Sequence, residues 1–384
     1  MSMTTIYING RFLMHNITGV QRYAMELIRQ MDALIAEDDP AFAPYRFVIL
    51  APHGQIQPLE LAHIEIRQVG PLNGHLWEQL TLPIHTTDGF LLNLCNTAPL
   101  LKRNQAVTMH DAAVYAVPET YSFAFKAWYK VVFRVVGKTA RRVITCSEFS
   151  KRQLMHYAGI KENKLQTIYH GKEHMLGTPI ASGYTEKMGL ERPFVLAVSS
   201  MSPNKNFRSI VAALELIGDK DFDVVIAGGK SKIFNETTPG GESSGRVHYL
   251  GYVEEEELRA LYDKAACFVF PSFYEGFGLP PLEAMACGAP VIASKAASLP
   301  EVCGDAVLYC DPHDPQDIAD QIRRVMGDPQ LREELSARGK EQAAKFSWSR
   351  CARETIGAVA RAMGTQEVYR ERPAAKAVAP KQSR

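Results

Sequence analysis

The sequence predicts an α/β protein of two domains, each with a parallel sheet covered by helices on both faces. Apolar runs of strand length alternate with helical runs along almost the whole chain, which is typical of parallel sheets. The chain has 384 residues, more than one compact core normally holds. Residues 170–191, rich in Gly, Ser, Thr, Lys and Glu, lack an apolar period and separate the two alternating halves. We therefore place the first domain at residues 1–172, a hinge at 173–190 and the second domain at 191–346.

The first half contains seven candidate strands and four candidate helices. The strands are apolar, β-branched and aromatic runs bounded by turn residues, at residues 6–13, 47–52, 64–69, 90–95, 106–110, 143–147 and 165–169. The helices have apolar residues at helical spacing, at residues 20–36, 75–82, 120–140 and 148–157. Each helix follows one strand and precedes another, as a crossover between parallel strands requires.

The second half repeats this order. Its candidate strands are residues 194–200, 224–227, 247–252, 267–271, 291–293 and 307–310, and its candidate helices are residues 207–217, 254–265, 281–287 and 315–326. Residues 365–384 are polar, contain alanine and proline, and are expected to be disordered. Open α/β sheets bind ligands at the carboxyl ends of their strands, so we look for functional residues directly after strands.

Composition and charge exclude several classes of function. The chain is 46% hydrophobic and 22% charged, which is ordinary for a globular protein, and its net charge of +1 gives no overall attraction to nucleic acid. Its seven cysteines are scattered without a CxxC pair and are expected to be buried free thiols in a reducing cytoplasm. The N-terminal segment lacks a signal-peptide pattern, and no run approaches the about 20 apolar residues that span a bilayer. We expect a cytoplasmic protein, either soluble or peripheral to a membrane.

The segment EGFGLPPLE, residues 275–283, carries the strongest functional signal. It follows a strand-like apolar run and leads into a short helix, so it places Glu275 on a turn and Glu283 in the first helical turn. Gly276 and Gly278 let the backbone approach a ligand closely, and the amides of the helix start attract phosphate. The two carboxylates then suit the hydroxyls of a sugar and of a ribose. The alternative is a helix start whose acidic residues complement its dipole.

Three further residues stand where a ligand site would form. Gly19 lies in the turn HNITG, whose amides could face a diphosphate; the alternative is an ordinary helix N-cap by Thr18. Lys205 stands at a helix start, which the dipole disfavours, so we interpret it as the partner of an anion rather than as a solvated turn lysine. His110 ends a strand and would contact a sugar hydroxyl, or be a satisfied core histidine, while Asp111 is expected to cap the loop. The histidines lack metal-ligand spacing, so no metal is expected.

The run EGFGLPPLEAMACGAPVIAS resembles the E-x7-E signature of retaining glycosyltransferases of family 4, and the resemblance extends over residues 6–363. It implies the GT-B fold, in which two Rossmann-like domains face a central cleft. It also implies that the last helix, for which residues 347–364 are the candidate, crosses back onto the first domain. The chain lacks GxGxxG, so a dinucleotide-dependent oxidoreductase is not supported.

The resemblance assigns roles to particular residues. It implies that Glu275 positions the sugar hydroxyls, that Lys205 binds the donor phosphates and that His110 contacts the sugar from the first domain. Further substrate contacts are implied for a larger set of residues: Gly19 at the phosphates, Ser199 in the segment that carries Lys205, Tyr252 and Val253 at the base, Glu283 at the ribose, and Phe277, Gly278 and Leu279 at the helix start. Many relatives carry an arginine before the phosphate-binding lysine. Ser199 or Asn204 stands near that place here, which leaves the second cation unidentified.

The resemblance implies a retaining, metal-independent transferase without a cofactor that moves a hexose from a nucleotide diphosphate sugar to a glycan hydroxyl. The segments TGVQRYAMEL, HD and EGFGLPPLE are similar to those of bacterial mannosyltransferases of polysaccharide assembly. That similarity favours GDP-mannose over UDP-glucose as donor, and a growing glycan on a polyprenyl diphosphate as acceptor. Two other classes remain open: a sugar-nucleotide epimerase of the same fold, and a non-catalytic scaffold subunit.

Four basic residues recur at every fourth position of one predicted helix: Lys126, Lys130, Arg134 and Lys138. They border aromatic and aliphatic side chains, a pattern typical of a membrane-surface helix. At about 1 kcal/mol each, they would supply about 4 kcal/mol near an anionic leaflet. This interpretation places the protein on the inner face of the cytoplasmic membrane. The alternative is a core helix with a solvated basic face.

Overall fold

The computed structural model describes residues 3–198, 202–218, 221–228 and 247–365. Within these residues the chain forms two parallel sheets. The strands of the first are β1 Thr4–Asn9, β2 Tyr45–Ala51, β3 Glu65–Gln68, β4 Phe90–Asn93, β5 Gln105–Thr108, β6 Arg142–Thr145 and β7 Leu165–Thr167, in the order β3-β2-β1-β4-β5-β6-β7. Those of the second are β8 Phe194–Val198, β9 Asp223–Ala227, β10 Val247–Gly251, β11 Cys267–Phe270, β12 Val291–Ser294 and β13 Leu308–Cys310, in the order β10-β9-β8-β11-β12-β13. The predicted α/β fold with parallel sheets is confirmed.

Helices alternate with these strands. Those of the first half are α1 Gly19–Ala36, α2 Gly74–Leu76, α3 Leu82–Ile84, α4 Ala113–Ala116, α5 Phe123–Thr139 and α6 Glu148–Ala158. Those that follow are α7 Glu173–Gly177, α8 Tyr184–Lys187, α9 Phe207–Ile217, α10 Glu255–Lys264, α11 Leu279–Cys287, α12 Leu299–Cys303, α13 Pro315–Gly327, α14 Pro329–Ala343 and α15 Trp348–Met363. A π-helical turn, Trp77–Thr81, joins α2 to α3.

The strand order locates the ligand-binding edge of each sheet. The order reverses between β1 and β4 in the first sheet, and between β8 and β11 in the second. At such a switch point the loops after neighbouring strands diverge and leave a crevice at the carboxyl ends of the strands. The loop before α1 follows β1, and the turn before α11 follows β11. Two of the predicted site segments therefore begin at switch points.

The predicted first strand, residues 6–13, is too long at its C-terminal end. The strand ends at Asn9, and Gly10–Met14 forms a 3-10 helix. The Asn9 side chain causes this break because its Oδ1 accepts a hydrogen bond from the Arg11 backbone amide at 3.2 Å. The apolar residues Phe12 and Leu13, which suggested a longer strand, are buried in the short helix instead.

The segment predicted as a hinge has local structure of its own. It contains α7 and α8, and Met175, Thr185 and Leu190 are buried. The Glu173 carboxylate accepts a hydrogen bond from the backbone amide of Trp348 at 3.0 Å. The segment is therefore tied to the start of α15 and is not a free linker.

The last helix, α15, packs on the first domain. The Arg353 guanidinium pairs with the Asp39 carboxylate at 2.7 Å, beyond the end of α1. The Tyr45 hydroxyl on β2 lies 3.1 Å from the Thr365 hydroxyl. These contacts join the two ends of the chain across the domain boundary. Of the predicted disordered tail, residues 365–384, all but Thr365 lie outside the described residues.

The cysteines and the helices agree with the expectations from composition. All seven cysteines, which lie in the described ranges, are free; Cys95 is half-buried and the other six are buried. Among the described residues, no helix has the length and apolarity that crossing a bilayer requires.

Candidate active site

A cavity of about 590 Å³ lies between the two domains. It is lined from the first domain by the start of α1 and the loops after β5, β6 and β7, and from the second by the loops after β8, β10 and β11. The predicted site residues that line it are Gly19, His110, Lys205, Tyr252, Val253, Glu275, Phe277, Gly278, Leu279 and Glu283. Ser199, also predicted to contact substrate, lies outside the described residues. Asn204 donates to the Tyr274 carbonyl at 3.2 Å.

The turn after β11 requires glycine at two positions, at Gly278 because of its backbone dihedral and at Gly276 because a side chain would meet neighbouring atoms. Gly278, the N-cap of α11, has φ +99°, a left-handed conformation that side chains rarely adopt. A Cβ atom at Gly276 would lie 2.8 Å from the Cβ of Asp111 and 2.9 Å from the carbonyl oxygen of His110. The Ser298 hydroxyl lies 2.9 Å from the carbonyl oxygens of both Glu275 and Phe277 and fixes the turn between them.

The sequence predicted Glu283 in the first helical turn, and this prediction is wrong. Helix α11 begins at Leu279, two residues earlier than expected, so Glu283 is in its second turn. The reason is that Gly278 starts the helix from a left-handed conformation and Pro280 and Pro281 are accommodated in the first turn, where a missing amide costs nothing. The side chain of Glu283 still lines the cavity.

Lys205 and Glu275 form an ion pair at the centre of the cavity. The Lys205 Nζ lies 2.6 Å from Glu275 Oε1, and both side chains are largely buried. Lys205 lies two residues before the first residue of α9, Phe207, where the sequence predicted the helix to begin. Lys205 is the last residue of the 3-10 turn Pro203–Lys205. The next residue, Asn206, has a left-handed φ of 59° and precedes α9. Asn206 Nδ2 donates to two carbonyls, of Pro271 at 3.0 Å and of Pro312 at 2.6 Å, and so anchors this loop.

His110 is a neutral, oriented side chain on the other side of the cavity. Its Nε2 lies 3.0 Å from the Leu94 carbonyl, so Nε2 carries the proton and Nδ1 is the acceptor. Burial lowers the pKa of His110 to about 4. Asp111 caps the following loop, as predicted, because its Oδ1 accepts from the Ala113 amide at 2.8 Å. Burial raises the pKa of Asp111, and the nearby Glu275 adds to the effect.

Glu283 is held by two partners. Its Oε1 lies 2.9 Å from His174 Nε2, and its Oε2 accepts from the Tyr262 hydroxyl at 3.3 Å. The indole nitrogen of Trp348 donates to His174 Nδ1 at 3.0 Å, so His174 is the tautomer that donates from Nε2 to Glu283. A chain of hydrogen bonds therefore runs from α15 through the linker to the cavity.

His170 is a cavity residue that the sequence analysis did not select. It is buried, lines the cavity, and stacks on Trp348 with ring centroids 5.8 Å apart. Among the described residues, neither of its ring nitrogens has a hydrogen-bond partner. Burial lowers its pKa well below the usual range. Its position directly after β7 was the available signal, since the carboxyl ends of parallel strands face the cleft.

The two domains touch across the cleft. The Gly276 carbonyl accepts hydrogen bonds from the hydroxyls of Ser147 at 2.6 Å and Ser150 at 3.0 Å. The Glu301 carboxylate accepts from the backbone amides of Glu148 at 2.6 Å and Phe149 at 3.0 Å, the first residues of α6. A carboxylate at a helix N-terminus is electrostatically favourable. The domains are therefore in a closed arrangement.

His110, Cys146 and His170 are the one group among the described residues that could hold a metal ion. Their potential ligand atoms lie within 4.8 Å of one another. Burial raises the pKa of the Cys146 thiol well above its usual range, and the nearby Asp111 adds to the effect. The protonated thiol is a poor metal ligand. We assign no metal to this group.

The acidic residues 254–257 cap the start of α10. Glu254 and Glu257 form a capping box, in which the Glu254 amide donates to Glu257 Oε2 at 2.9 Å. Glu255 in addition pairs with Arg22 of α1, across the domain boundary. Tyr252 and Val253, which precede this run, line the cavity with Tyr252 exposed.

The four basic residues of α5 differ in their solvent exposure and in their contacts. Arg134 and Lys138 are exposed, whereas Lys126 and Lys130 are half-buried. Lys130 Nζ lies 5.2 Å and Arg134 Cζ 5.8 Å from the centroid of the Tyr115 ring. These are cation–π contacts, which hold two of the four cations against the protein.

Comparison with known proteins identifies the family. The family model described as "Glycosyl transferases group 1" matches residues 186–342. The chain is 32% identical over 264 residues to O-antigen chain mannosyltransferase B of Escherichia coli, covering 65% of this chain and 68% of that protein. It is 27% identical over 372 residues to the serotype-specific mannosyltransferase WbdA of Escherichia coli, covering 92% of this chain but only 44% of that protein.

The fold has solved relatives. The sucrose-phosphate synthase of Thermosynechococcus elongatus superposes with a TM-score of 0.73 at 20% identity, over 95% of this chain and all of that one. Identity at this level supports the fold alone. The two-domain GT-B arrangement predicted from the sequence is confirmed. This chain belongs to the glycosyl transferases group 1.

Proposed function

We propose that this protein is a retaining, metal-independent mannosyltransferase that moves mannose from GDP-mannose to a glycan hydroxyl in bacterial polysaccharide synthesis. Its family supports transfer from a nucleotide-sugar donor. The similarity to two mannosyltransferases named for O-antigen chain and serotype supports the sugar and the pathway class. The observation that carries the proposal is the convergence of Lys205, Glu275 and the start of α11 on one cavity between closed domains.

Two helix starts would bind the donor diphosphate. Helices α1 and α11 both begin at the cavity, at Gly19 and Leu279. Thr18, the N-cap of α1, makes no side-chain capping bond to the described residues, so the first-turn amides of α1 are available to a ligand. In the first turn of α11, Pro280 and Pro281 have no N–H, so Leu279 supplies the amide there together with the helix dipole. Amide donors and helix dipoles at a leaving diphosphate stabilise the charge that develops as the glycosidic bond breaks.

Lys205 and Glu275 would exchange partners when the donor binds. Without a ligand, each neutralises the other in a largely buried site. A diphosphate offers Lys205 a stronger anion, which frees Glu275 to accept hydrogen bonds from the sugar hydroxyls. Nδ1 of His110 is an acceptor on the opposite wall and would contact another hydroxyl of the same sugar.

Glu283, Tyr252 and Val253 would hold the nucleoside. The Glu283 carboxylate is oriented by His174 and Tyr262, and its oxygens keep lone pairs for the ribose hydroxyls. Tyr252 and Val253 border the cavity where the base would lie.

We also propose that residues 173–190 act as the hinge between the two domains. Closure at the Gly276 contacts would exclude water and suppress hydrolysis of the donor.

We further propose that the protein contacts the inner face of the cytoplasmic membrane, where a lipid-linked acceptor would be available. Leu76, Leu80 and Ile84 are exposed at spacings of four residues along the α2–α3 segment. This segment adjoins the basic helix α5 through the His75 and Trp128 rings, whose centroids are 5.1 Å apart. Exposed apolar side chains next to Lys126, Lys130, Arg134 and Lys138 are the combination that binds an anionic bilayer surface.

Thermal shift with nucleotides tests the donor. Wild type and Lys205→Ala are heated with GDP, UDP, GDP-mannose and UDP-glucose, without added metal. A ligand at about 100 times its dissociation constant stabilises the fold by about 2.7 kcal/mol. We expect a shift with the guanine ligands that Lys205→Ala loses and that the exposed control Lys187→Ala keeps. A shift with uracil ligands alone would overturn the donor. No shift with any of the four ligands would overturn GDP-mannose as donor and point to another nucleotide base or to a scaffold.

A transfer assay tests the reaction. Incubation with GDP-mannose and a glycan acceptor should release GDP only when acceptor is present and should give a product with the donor's anomeric configuration. Isomerised donor or free sugar in the absence of acceptor would instead identify an epimerase.

Co-sedimentation with phosphatidylglycerol vesicles tests the membrane contact. Leu80→Ser should reduce vesicle binding severalfold, and equal binding by wild type and variant would contradict the membrane contact.

A further inference from the structure

Tyr274 is a second-domain residue whose side chain is buried against the first domain. It follows β11, directly precedes Glu275 and is 6% exposed. Glu275 and the four residues after it line the cavity between the domains, whereas Tyr274 does not. A large side chain that crosses the domain boundary beside the site, without reaching the cavity, requires an explanation other than ligand contact.

The hydroxyl of Tyr274 is bonded to the loop after β5. The backbone amide of Ala112 donates to this hydroxyl oxygen at 3.3 Å, and both groups are buried. Ala112 is two residues after His110, which lines the cavity from the first domain. Burial raises the pKa of the Tyr274 hydroxyl, and the nearby Asp111 adds to the effect, so the hydroxyl stays protonated near neutral pH. This bond links the second domain to the loop that presents His110.

His110 itself is held by partners within the first domain. Its backbone amide donates to Asn96 Oδ1 at 2.8 Å, and its carbonyl accepts from the Cys146 thiol at 2.8 Å. Because these groups move together with His110, a motion between the domains leaves their bonds intact. The bond from Ala112 to Tyr274 is different, since it forms only while the second domain is in contact with the loop.

The ring of Tyr274 packs against the start of α6. Its centroid lies 5.5 Å from that of Phe149 at an interplanar angle of 64°, an edge-to-face arrangement. The Phe149 backbone amide also donates to the carboxylate of Glu301, a second-domain residue, at 3.0 Å. Two side chains of the second domain therefore contact the same residue of α6, and this fixes the ring of Tyr274 in the closed arrangement.

The backbone of Tyr274 is tied to the opposite side of the site. Its carbonyl accepts a hydrogen bond from Asn204 Nδ2 at 3.2 Å. The residue after Asn204 is Lys205, whose Nζ lies 2.6 Å from Glu275 Oε1. Tyr274 thus joins the loop of Lys205, through its backbone, to the loop of His110, through its side chain.

We infer that Tyr274 is a positioning residue for sugar transfer, which fixes the loop carrying His110 relative to the Lys205–Glu275 pair each time the domains close. The inference rests on the proposed transferase function. Its physical basis is that groups on two separate domains must reach one geometry at the sugar, and a displacement of about 1 Å can lower the rate about 100-fold. Without closure the Ala112 amide lacks this partner, so the loop acquires its final position only in the closed protein.

Amide hydrogen exchange of the full chain in the presence of GDP tests whether Tyr274 holds the loop. Mass spectrometry follows peptides that cover residues 105–116. Tyr274→Phe keeps the ring but deletes the hydroxyl, so the Ala112 amide should exchange about twofold to tenfold faster, the usual value of one hydrogen bond. Tyr309→Phe is the matched control, because its hydroxyl donates to the Gly304 carbonyl at 2.6 Å within the second domain. That variant should match wild type in this loop.

Steady-state kinetics and calorimetry test the consequence for transfer. Tyr274→Phe should lower kcat by about 10-fold to 100-fold at saturating GDP-mannose and acceptor. The dissociation constant of GDP should stay unchanged, because GDP would contact groups that line the cavity and Tyr274 does not. Tyr309→Phe should keep both constants. Since both variants lose one tyrosine hydrogen bond, equal melting temperatures would exclude general destabilisation as the cause of a lower kcat.

The possible results separate this inference from the proposed function. Equal loop exchange in wild type and Tyr274→Phe, or an unchanged kcat, would overturn the positioning role. A weakened affinity for GDP with an unchanged kcat would also overturn it, because Tyr274 would then support donor binding and not transfer. Faster loop exchange in Tyr274→Phe, together with no transfer by wild type, would keep the contact of Tyr274 with the loop and overturn the transferase.

Discussion

The donor cavity between the domains, of about 590 Å³, and a second cavity of about 610 Å³ in the first domain share Thr18, Val20 and Asp111 in their linings, but they differ in how they balance their polar groups. In the donor cavity Lys205 and Glu275 neutralise each other, and both oxygens of Glu283 have partners. In the second cavity one wall is aromatic, and Glu78 keeps an oxygen without a hydrogen-bond partner among the described residues. Under the proposed function, the exchangeable ion pair would recognise the donor, so variants of the donor cavity should change catalysis itself.

The largest effect is expected from Glu275→Gln. Loss of a preorganised charged group at the reacting sugar should lower kcat by about 100-fold to 1,000-fold. Steady-state kinetics with saturating acceptor measure this loss, with exposed Glu256→Gln as the control. An unchanged kcat in Glu275→Gln would contradict the placement of Glu275 at the reacting sugar.

The pH dependence of stability should report the buried histidines of the donor cavity. The pKa of His110 in the fold is about 4, below its unfolded value of about 6.5, so the unfolded chain binds the proton first. This contribution to stability is complete above about pH 6.5 and is lost as the pH falls toward about 4, by at most about 3 kcal/mol.

Urea unfolding of wild type and His110→Gln across this range measures the effect. The variant should have a flatter slope of stability against pH between about 4 and 6.5, whereas exposed His63→Ala should follow wild type. Parallel curves for wild type and His110→Gln would show that His110 is not a buried neutral group.

Gly276→Ala tests closure of the domains. The added methyl group would overlap the Cβ of Asp111 and the His110 carbonyl, at 2.8 Å and 2.9 Å. Overpacking of this kind costs about 1–3 kcal/mol, and we expect the cost to appear as a more open cleft and a lower kcat. Gly177→Ala, with no atom within 4 Å of the added carbon, is the control. Small-angle scattering with and without GDP measures opening; unchanged scattering and kcat would contradict the prediction.

The smallest effect is expected from His174→Ala. This histidine orients Glu283 but does not line the cavity, so it is a positioning residue. Its loss should raise the dissociation constant for GDP by about tenfold, as loss of a charge-assisted hydrogen bond does, with little change in kcat. His174→Gln, which keeps a donor, should recover part of the affinity in a calorimetric titration. Equal affinity of all three proteins would show that Glu283 needs no support from the linker.

The sequence predicted the helices and strands well where the signal was local. Helix α9 begins and ends as predicted, at Phe207 and Ile217, because its apolar period is uninterrupted. Predictions failed where a side chain or a backbone dihedral decided the outcome. Asn9 ended the first strand, and Gly278 started α11 early. Neither of these features changes hydrophobic periodicity, which is the quantity that sequence patterns report.

The site was only partly predictable, because several of its residues have no motif. His170, His174 and Glu78 lie in a linker or a π-helical turn, and their roles come from distant partners such as Trp348. The aromatic period of α5 was visible in the sequence, but it suggested a membrane face. The structure instead turns Phe125 and Tyr129 toward the second cavity.

The amino-acid sequence by itself determined the fold class, the family and the chemical types gathered at the switch points of the two sheets. Hydrophobic periodicity, glycine turns and the spacing of acidic residues are local properties of the sequence. The parallel strand order brings the residues that follow the strands to the carboxyl edge of each sheet. Only the tertiary structure decided which charges neutralise each other, which tautomer His174 adopts and which face of α5 meets a cavity. Those properties depend on contacts between residues far apart in the chain, and local patterns do not contain them.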